Sequence, residues 1–263
     1  MAPIDPELLK SLLGARAGCF DIVSVDDCDS TNSELMRRAN QGAVASTVVV
    51  ANRQSAGRGR RGRTWLSAPE ASLTFSLLWR FSGPSGQLAG LSLAVGVGLA
   101  KGLESLGAQG IRLKWPNDVL VESGGGFAKL AGILVELATD RQGTQAVIGV
   151  GVNLRPPLDD LPQPAAGLDQ ALTPLPDRHV LLAAILAELA GTLEAFAVDG
   201  FSGAKMEWQQ RHAWQGLAVR LLADDATAVD GICLGVDDDG ALLLDTVAGG
   251  QRIFSGDVSL RRA

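Results

Sequence analysis

Five arginines, Arg53, Arg58, Arg60, Arg61 and Arg63, fall within the eleven residues from 53 to 63, and no acid interrupts them. The chain carries −6 at pH 7, so without these five charges the remainder would stand at −11. Arginine's planar fork matches phosphate oxygens in pairs, and Gly57, Gly59 and Gly62 let the backbone wrap closely around an anion. Three uses fit such a segment: a docking loop for a small polyanion, a nucleic-acid contact, or a solvated turn. Two further strings carry candidate chemistry. Lys114-Trp115-Pro116-Asn117-Asp118 sets a cation and a carboxylate about a turn. Lys129-Leu130-Ala131-Gly132 sets a lysine before a glycine that would let a ligand approach the backbone. Asn153 closes the apolar run from Val147 to Val152, where it reads as a turn residue or a purine or phosphate contact.

Context narrows the arginine segment. Gly57-Arg58-Gly59-Arg60-Arg61-Gly62 fits the G-x-G-x-x-G string, but a dinucleotide fingerprint must open a helix whose N-terminus holds the pyrophosphate. The residues after it read as loop then strand, and no Asp or Glu lies between Ala71 and Leu103, which counts against that fingerprint. No kinase HRD or DFG string and no Walker A sequence accompanies it. Nucleic-acid binding segments usually belong to basic domains, whereas this one is an island in an acidic chain. A small polyanion remains as the favoured occupant.

The elements that must position these residues follow from composition and periodicity. At 263 residues with 46% hydrophobic and 20% charged residues, the chain can bury a core and holds one main domain plus a smaller one, without extended disorder. Its start is acidic and proline-broken, unlike a leader, and the apolar run from Leu88 to Ala100 is too short to span a bilayer. The scattered Cys19, Cys28 and Cys233 read as reduced cytosolic thiols. With only His179 and His212, and no tyrosine, a histidine metal site or a Ser-His-Asp triad is poorly supported.

Strands are expected at residues 21–25, 47–51, 72–80, 111–115, 130–137 and 146–152, the third with Leu73, Phe75, Leu77 and Trp79 on one face. Thr31 and Glu34 read as a capping box for a helix stopped by Gly42. A second helix is expected over residues 87–106, where glycines at 90, 96, 98 and 102 would pack closely on a sheet. Ser123-Gly124-Gly125-Gly126 reads as a flexible linker, and residues 155–176, with six prolines, as an irregular loop. Asp177 caps an amphipathic helix over residues 177–197. Beyond Trp214, short strands separated by Asp224-Asp225, Asp237-Asp238-Asp239-Gly240 and Gly249-Gly250 read as a small antiparallel barrel of about fifty residues. The expected class is α+β, with residues 1–213 as the main domain and 214–263 as the barrel.

In this order, the strings resemble biotin protein ligases. The matching residues are Ser30-Thr31-Asn32, the run from Gln54 through Arg63 to Thr64-Trp65, Lys114 to Asp118, Lys129 to Leu134, Gly149 to Asn153, and Gly256 to Arg261. The resemblance implies a class II synthetase-like catalytic fold, a central mixed sheet with helices on one face, and a C-terminal SH3-like barrel. It implies that biotin attacks Mg-ATP to give biotinyl-5′-adenylate, and that a lysine of a biotin carboxyl carrier domain then takes the biotinyl group. Lys129, Arg58 and Arg60 would be catalytic. Biotin would meet Ser30, Thr31, Asn32, Gln54, Gly57, Arg58, Gly59, Arg60, Trp65, Lys129 and Gly132. ATP would meet Arg58, Gly59, Arg60, Arg61, Arg63, Lys114, Asn117, Asp118, Lys129, Asn153 and Arg261. The magnesium ligands are not assigned.

The arginine loop would serve as a lid, mobile until biotin and ATP arrive, because an acyl-adenylate must be shielded from water. Only 29 residues precede Ser30, too few for the winged-helix repressor domain of bifunctional members, so the enzyme-only type is expected, cytoplasmic, without DNA or membrane partners. Family members dimerise by extending the sheet, which leaves a homodimer open. The segment 122–128 is longer than the family pattern. Two rival readings are a lipoate or octanoate ligase-like acyl transferase of the same fold and an RNA-binding module.

Overall fold

The computed structural model describes residues 3–141, 143–157, 163–223, 228–254 and 258–262. Its first element was not read from the sequence, although the signal is there. Asp5 Oδ1 accepts from the backbone N–H groups of Glu7 (2.9 Å) and Leu8 (3.4 Å), and Pro6 occupies a first-turn position that needs no N–H. The resulting helix α1 (Pro6–Leu13) buries Leu9 and Leu13.

The main body continues as β1 (Asp21–Cys28), α2 (Thr31–Asn40), β2 (Thr47–Gln54), β3 (Ser72–Phe81), α3 (Leu91–Ser105), β4 (Ile111–Lys114), β5 (Asp118–Ser123), β6 (Gly126–Asp140), β7 (Gly143–Asn153), α4 (Arg178–Asp199) and α5 (Ser202–Arg211). Its seven strands form a mixed sheet in the order β1-β2-β3-β7-β6-β5-β4, with only β1–β2 parallel. Strand alternation divides the core. Val48 and Val50 join the large cluster under α3 and α4, while Val49 faces the other way, packing with Leu35 of α2, Leu78 and Val147. Helices therefore cover both faces, not one, because α2 caps the face opposite α3 and α4.

Several local expectations change. The capping box does not form: Ser30 is the N-cap without a side-chain bond, Thr31 is already helical, and Glu34 pairs with Arg37 and Arg38. Helix α3 starts at Leu91, not residue 87, because Gly90 holds φ at +77°. Among its glycines, Gly96 faces Leu113 and Ile133 of the sheet, but Gly98 and Gly102 face α4, where a methyl on Gly102 would lie 2.8 Å from the Ile185 Cα. The expected flexible linker is a hairpin turn between β5, itself unanticipated, and β6. Ser123 pairs with Gly126, and Gly124 and Gly125 take φ of +58° and +79°, as a two-residue turn of the I′ kind requires. Helix α4 is long and apolar enough to cross a bilayer, but it packs against α1 and α3, and half of its most apolar window is buried.

The C-terminal part contains β8 (Ala218–Ala223), β9 (Ala228–Val236), β10 (Leu242–Thr246), β11 (Gly249–Ile253) and β12 (Val258–Arg262), an antiparallel sheet in the order β11-β10-β9-β8-β12. This sheet stands where the small barrel was expected; the Asp224-Asp225 turn lies outside the described residues. It is joined to the main body by Trp115, whose indole donates to Gly240 O (3.1 Å), and by Gln209, whose Nε2 donates to Val236 O (3.3 Å).

Both histidines have structural partners. His179 Nε2 accepts from the Asp5 N–H (2.9 Å), fastening α1 to the start of α4. His212 is 7% exposed, stacked on Trp208 at 4.5 Å, with Nε2 4.0 Å from the Cys233 sulfur. Burial pushes its pKa down from 6.5 to about 4, and the contact from Gln215 only partly opposes this. As pH falls, the unfolded imidazole takes its proton first, so stability is fully present above about 6.5 and declines towards 4. The expected loss is about 3 kcal/mol. Urea titrations at pH 7 and 4.5 should show that decline in the parent protein and a much smaller one in His212→Gln.

Candidate active site

A cavity of about 320 Å³ opens on the α2 face of the sheet. Its floor is backbone: Gly132 of β6 pairs with Gly151 of β7, and Gly149 lies two residues along. A methyl on Gly151 would come within 2.3 Å of the Trp65 ring, and one on Gly149 within 2.2 Å of Asn32 Oδ1. The glycines therefore let an indole and a carboxamide lie directly on the sheet.

At one end of the cavity, strand geometry gathers charge. Asp118, at the start of β5, pairs with Lys114 across the β4–β5 turn and with Gly132 on the other side. Its Oδ2 receives Lys114 Nζ at 2.8 Å and its Oδ1 receives Lys129 Nζ at 2.5 Å. Lys114 is 5% exposed and Asp118 8%. Burial alone would raise the Asp118 carboxyl, but the charges of Lys129 and then Lys114 override it and hold it well below the ordinary carboxylate range. Burial lowers the Lys114 ammonium, against the pull of Asp118, and Arg261 and Lys129 add like-charge repulsion. With Arg261 included, three cations face one carboxylate, a surplus of positive charge in a sheltered place.

Lys129 reaches this site because β6 is bulged. The β5–β6 register shifts between Val119 and Leu120, and Leu130 and Ala131 both enter the core. Lys129 and Gly132, three residues apart, consequently share the cavity face. The Lys129 backbone is fixed independently, its N–H donating to Pro164 O (2.8 Å) and its O accepting from the Ala166 N–H (3.0 Å). Its amine also lies 5.7 Å above the Trp65 ring, and the Lys114 amine 5.4 Å above Trp214.

The other end is neutral and polar. Gln54 Oε1 accepts from the Thr31 N–H (2.7 Å) and hydroxyl (3.1 Å), which is what draws Thr31 away from any capping role. The Ser76 hydroxyl lies 2.6 Å from Asn32 Oδ1 and 2.8 Å from Thr31 Oγ1. Over the floor runs the arginine loop as a small hairpin, with Gly59 N–H donating to Arg63 O (2.7 Å) and Trp65 N–H to Gly57 O (2.9 Å). Trp65 Nε1 is buried with no hydrogen-bond partner among the described residues.

Of the residues singled out from the sequence, Ser30, Thr31, Asn32, Gln54, Arg58, Gly59, Arg60, Arg61, Arg63, Trp65, Lys114, Asn117, Asp118, Lys129, Gly132, Asn153 and Arg261 all line this cavity. Gly57 does not; it lines an adjoining outer cleft of about 1030 Å³. Several have partners that limit what they offer a ligand. Asp118 has both oxygens on lysines, Asn117 Nδ2 donates to Ile133 O (2.7 Å), and Asn153 Nδ2 donates to Lys129 O (3.3 Å). Arg261 donates to Gln163 Oε1 at 3.2 Å. In the matched string that ends at Arg261, residues 256–257 lie outside the described part. Gly149 and Gly151 stand in the matched string that ends at Asn153 but carry no role from sequence; Ser76, Gln163 and Trp214 are new, although the polar alternation Ser72, Thr74, Ser76 on β3 signals a second, non-core face.

Comparison with known proteins gives a consistent family. Residues 26–153 match the biotin/lipoate A/B protein ligase family, and residues 216–261 match the biotin protein ligase C terminal domain. The chain is 36% identical to the bifunctional ligase/repressor BirA of Escherichia coli, over 99% of this chain and 80% of that protein. It is 32% identical to the biotin–[acetyl-CoA-carboxylase] ligase of Mycobacterium tuberculosis, over 97% of this chain and 95% of that one. Among solved structures, a biotin protein ligase from Aquifex aeolicus in complex with biotin and ATP matches with a TM-score of 0.77 at 29% identity, covering 92% of this chain and 99% of that one.

Proposed function

This chain belongs to the biotin/lipoate A/B protein ligase family, and on that premise we propose that it is a biotin–protein ligase, joining biotin to ATP and passing the biotinyl group to a carrier lysine. The observation that carries this reading is the Lys129 amine, held by Asp118 and lying over Trp65, inside a cavity that the arginine loop also lines. In the first step a biotin carboxylate oxygen attacks the α-phosphorus of ATP, the bond to the β-phosphoryl oxygen breaks, and diphosphate leaves. Two anions must meet, so fixed positive charge has to stand where charge builds on the phosphoryl oxygens. Lys129 faces the carboxylate and α-phosphate in this reading, Arg58 and Arg60 hold the adenylate, and Lys114 and Arg261 supply charge behind it. Ser30, Thr31, Asn32 and Gln54 offer small donors and acceptors for the ureido ring, while Trp65 and the glycine floor offer apolar faces.

In the second step the neutral amine of a carrier lysine attacks the acyl carbon, the bond to AMP breaks, and the amine loses a proton as the amide forms. A biotin carboxyl carrier domain is the acceptor in this reading. Magnesium does not fit as a protein-held ion: no group of three His, Cys, Asp or Glu side chains converges among the described residues, and both Asp118 oxygens are taken by lysines. It would arrive on the triphosphate as part of the substrate. A homodimer would extend the sheet along β1, whose pairing among described strands is with β2 alone. The three thiols, none in a disulfide, suit the cytoplasm.

Biotin-dependent exchange of labelled diphosphate into ATP tests the reading; exchange that needs lipoate or octanoate instead would replace it with the rival acyl ligase. The glycine floor gives a second check. Gly151→Ala is expected to displace the Trp65 indole and raise KM for biotin at least tenfold, with thermal stability changed little because Trp65 sits on a loop. An unchanged KM would remove the indole from the biotin site.

A further inference from the structure

Glu136 is the one acid of β6 that lies beside the cavity, and its carboxylate joins two parts of the site. Its Oε2 accepts from Arg58 Nη2 of the arginine loop and from Asn32 Nδ2 of α2, the latter at 2.9 Å. Asn32 Nδ2 also donates to Leu134 O (3.2 Å), so both of its neighbours are acceptors and the orientation of the carboxamide is forced. Oδ1 then has to face Ser76 Oγ, at 2.6 Å, over the Gly149 floor. Arg58 spends Nη2 on this contact, while no described acceptor takes its Nε or Nη1. As an ion pair at the cavity mouth, Arg58–Glu136 is worth little in itself. Its consequence is geometric: a single oxygen fixes both the guanidinium and the carboxamide. A carboxylate beside a site for polyanions would repel them unless a cation were committed to it, and Arg58 is that cation.

We propose that Glu136 is a positioning residue that couples the arginine loop to the neutral polar pocket, aiming Arg58 at the nucleotide and Asn32 at biotin through one carboxylate oxygen. This rests on the biotin-ligase reading for the identity of the two ligands, but not for the tether itself. Two variants separate the contacts. In Glu136→Gln the amide oxygen still accepts from Asn32, while the charge that holds Arg58 is lost. In Glu136→Ala both are lost.

The experiment has two arms. In ligand-free protein, trypsin cleavage between residues 53 and 63 is expected at least fivefold faster in both variants than in the parent, at matched thermal midpoints. In diphosphate exchange, Glu136→Gln is expected to raise KM for ATP about tenfold while KM for biotin moves less than threefold, and Glu136→Ala is expected to raise both at least fivefold. A cleavage rate unchanged in the variants overturns the tether, whether or not the parent shows exchange. Equal effects of the two variants on the two KM values overturn the coupling. Absence of biotin-dependent exchange in the parent counts against the ligase reading alone, and the cleavage arm still decides the role of Glu136.

Discussion

Lys129→Ala is expected to slow biotin-dependent diphosphate exchange about a hundredfold, mostly in kcat, because its charge is asked for as the phosphoryl oxygens gain charge in the transition state. The fold should survive the change. The Lys129 backbone bonds to Pro164, Ala166 and Asn153 do not involve its side chain, and Asp118 keeps Lys114 as a partner at 2.8 Å. Lys129→Arg keeps the charge but brings a planar fork where Gly132 and Trp65 crowd the amine, so partial activity is expected from it. Near-normal exchange in the alanine variant, at a concentration of biotin well above KM, would take Lys129 out of the mechanism.

Asp118→Ala should show its largest effect in stability. Removing the carboxylate strands the buried Lys114 ammonium beside Lys129 and Arg261, with Gln163 Oε1 at 3.4 Å and the Trp214 ring as its remaining company. Breaking a buried pair from one side costs about 3–5 kcal/mol. For a chain of this size that corresponds to a fall in Tm of about ten degrees or more. Asp118→Asn keeps an acceptor and should lose less. The pH dependence separates this cluster from His212. The Asp118 carboxyl sits below its ordinary 3.8 in the folded protein, so its contribution is present above that value and disappears only as pH falls further, through the folded value. His212 acts between about 6.5 and 4. Calorimetry from pH 8 down to about 1.5 should therefore find two declines in the parent and a shallower lower one in Asp118→Ala, the remainder belonging to other depressed carboxyls, among them Asp29, Glu34, Asp177 and Asp237. A ΔΔG below 1 kcal/mol at pH 7 would show that the lysines do not depend on Asp118.

What could be read from the residues alone was largely what is local. The arginine segment, the Lys114–Asp118 string and Lys129 each carry their chemistry in a few neighbouring positions, and the cavity gathers them. Turn chemistry is ambiguous where several conformations share one composition. Three glycines at 124–126 suit a slack linker and a tight hairpin equally, and only the pairing of Ser123 with Gly126 decides. The Thr31–Glu34 spacing is a capping box in isolation, but Gln54, 23 residues away, takes the Thr31 hydroxyl and backbone N–H. Asp5-Pro6-Glu7 is acidic and proline-broken as a leader would not be, and the same three residues are a helix start, with Asp5 as the cap and Pro6 in the first turn. Glu136 and Trp214 could not be found by any local pattern. Each matters through a residue far along the chain, Arg58 at a separation of 78 and Lys114 at a hundred positions.

The bulge in β6 makes the placement of the amine a matter of parity. Side chains on a strand alternate, so Lys129 and Gly132 can share a face only because one extra residue is absorbed between them. Losing a single residue from Leu130-Ala131 would remove only an apolar letter of the string and conserve every side chain assigned to a ligand, yet turn the lysine into the hydrophobic core. A variant of this chain lacking one residue there is therefore expected to lose the Lys129 amine from the cavity, whatever else it keeps. Conversely, the exposed turn at Gly124 and Gly125 lies beyond that counting point, and length changes in it can be tolerated so long as the strand re-enters in phase.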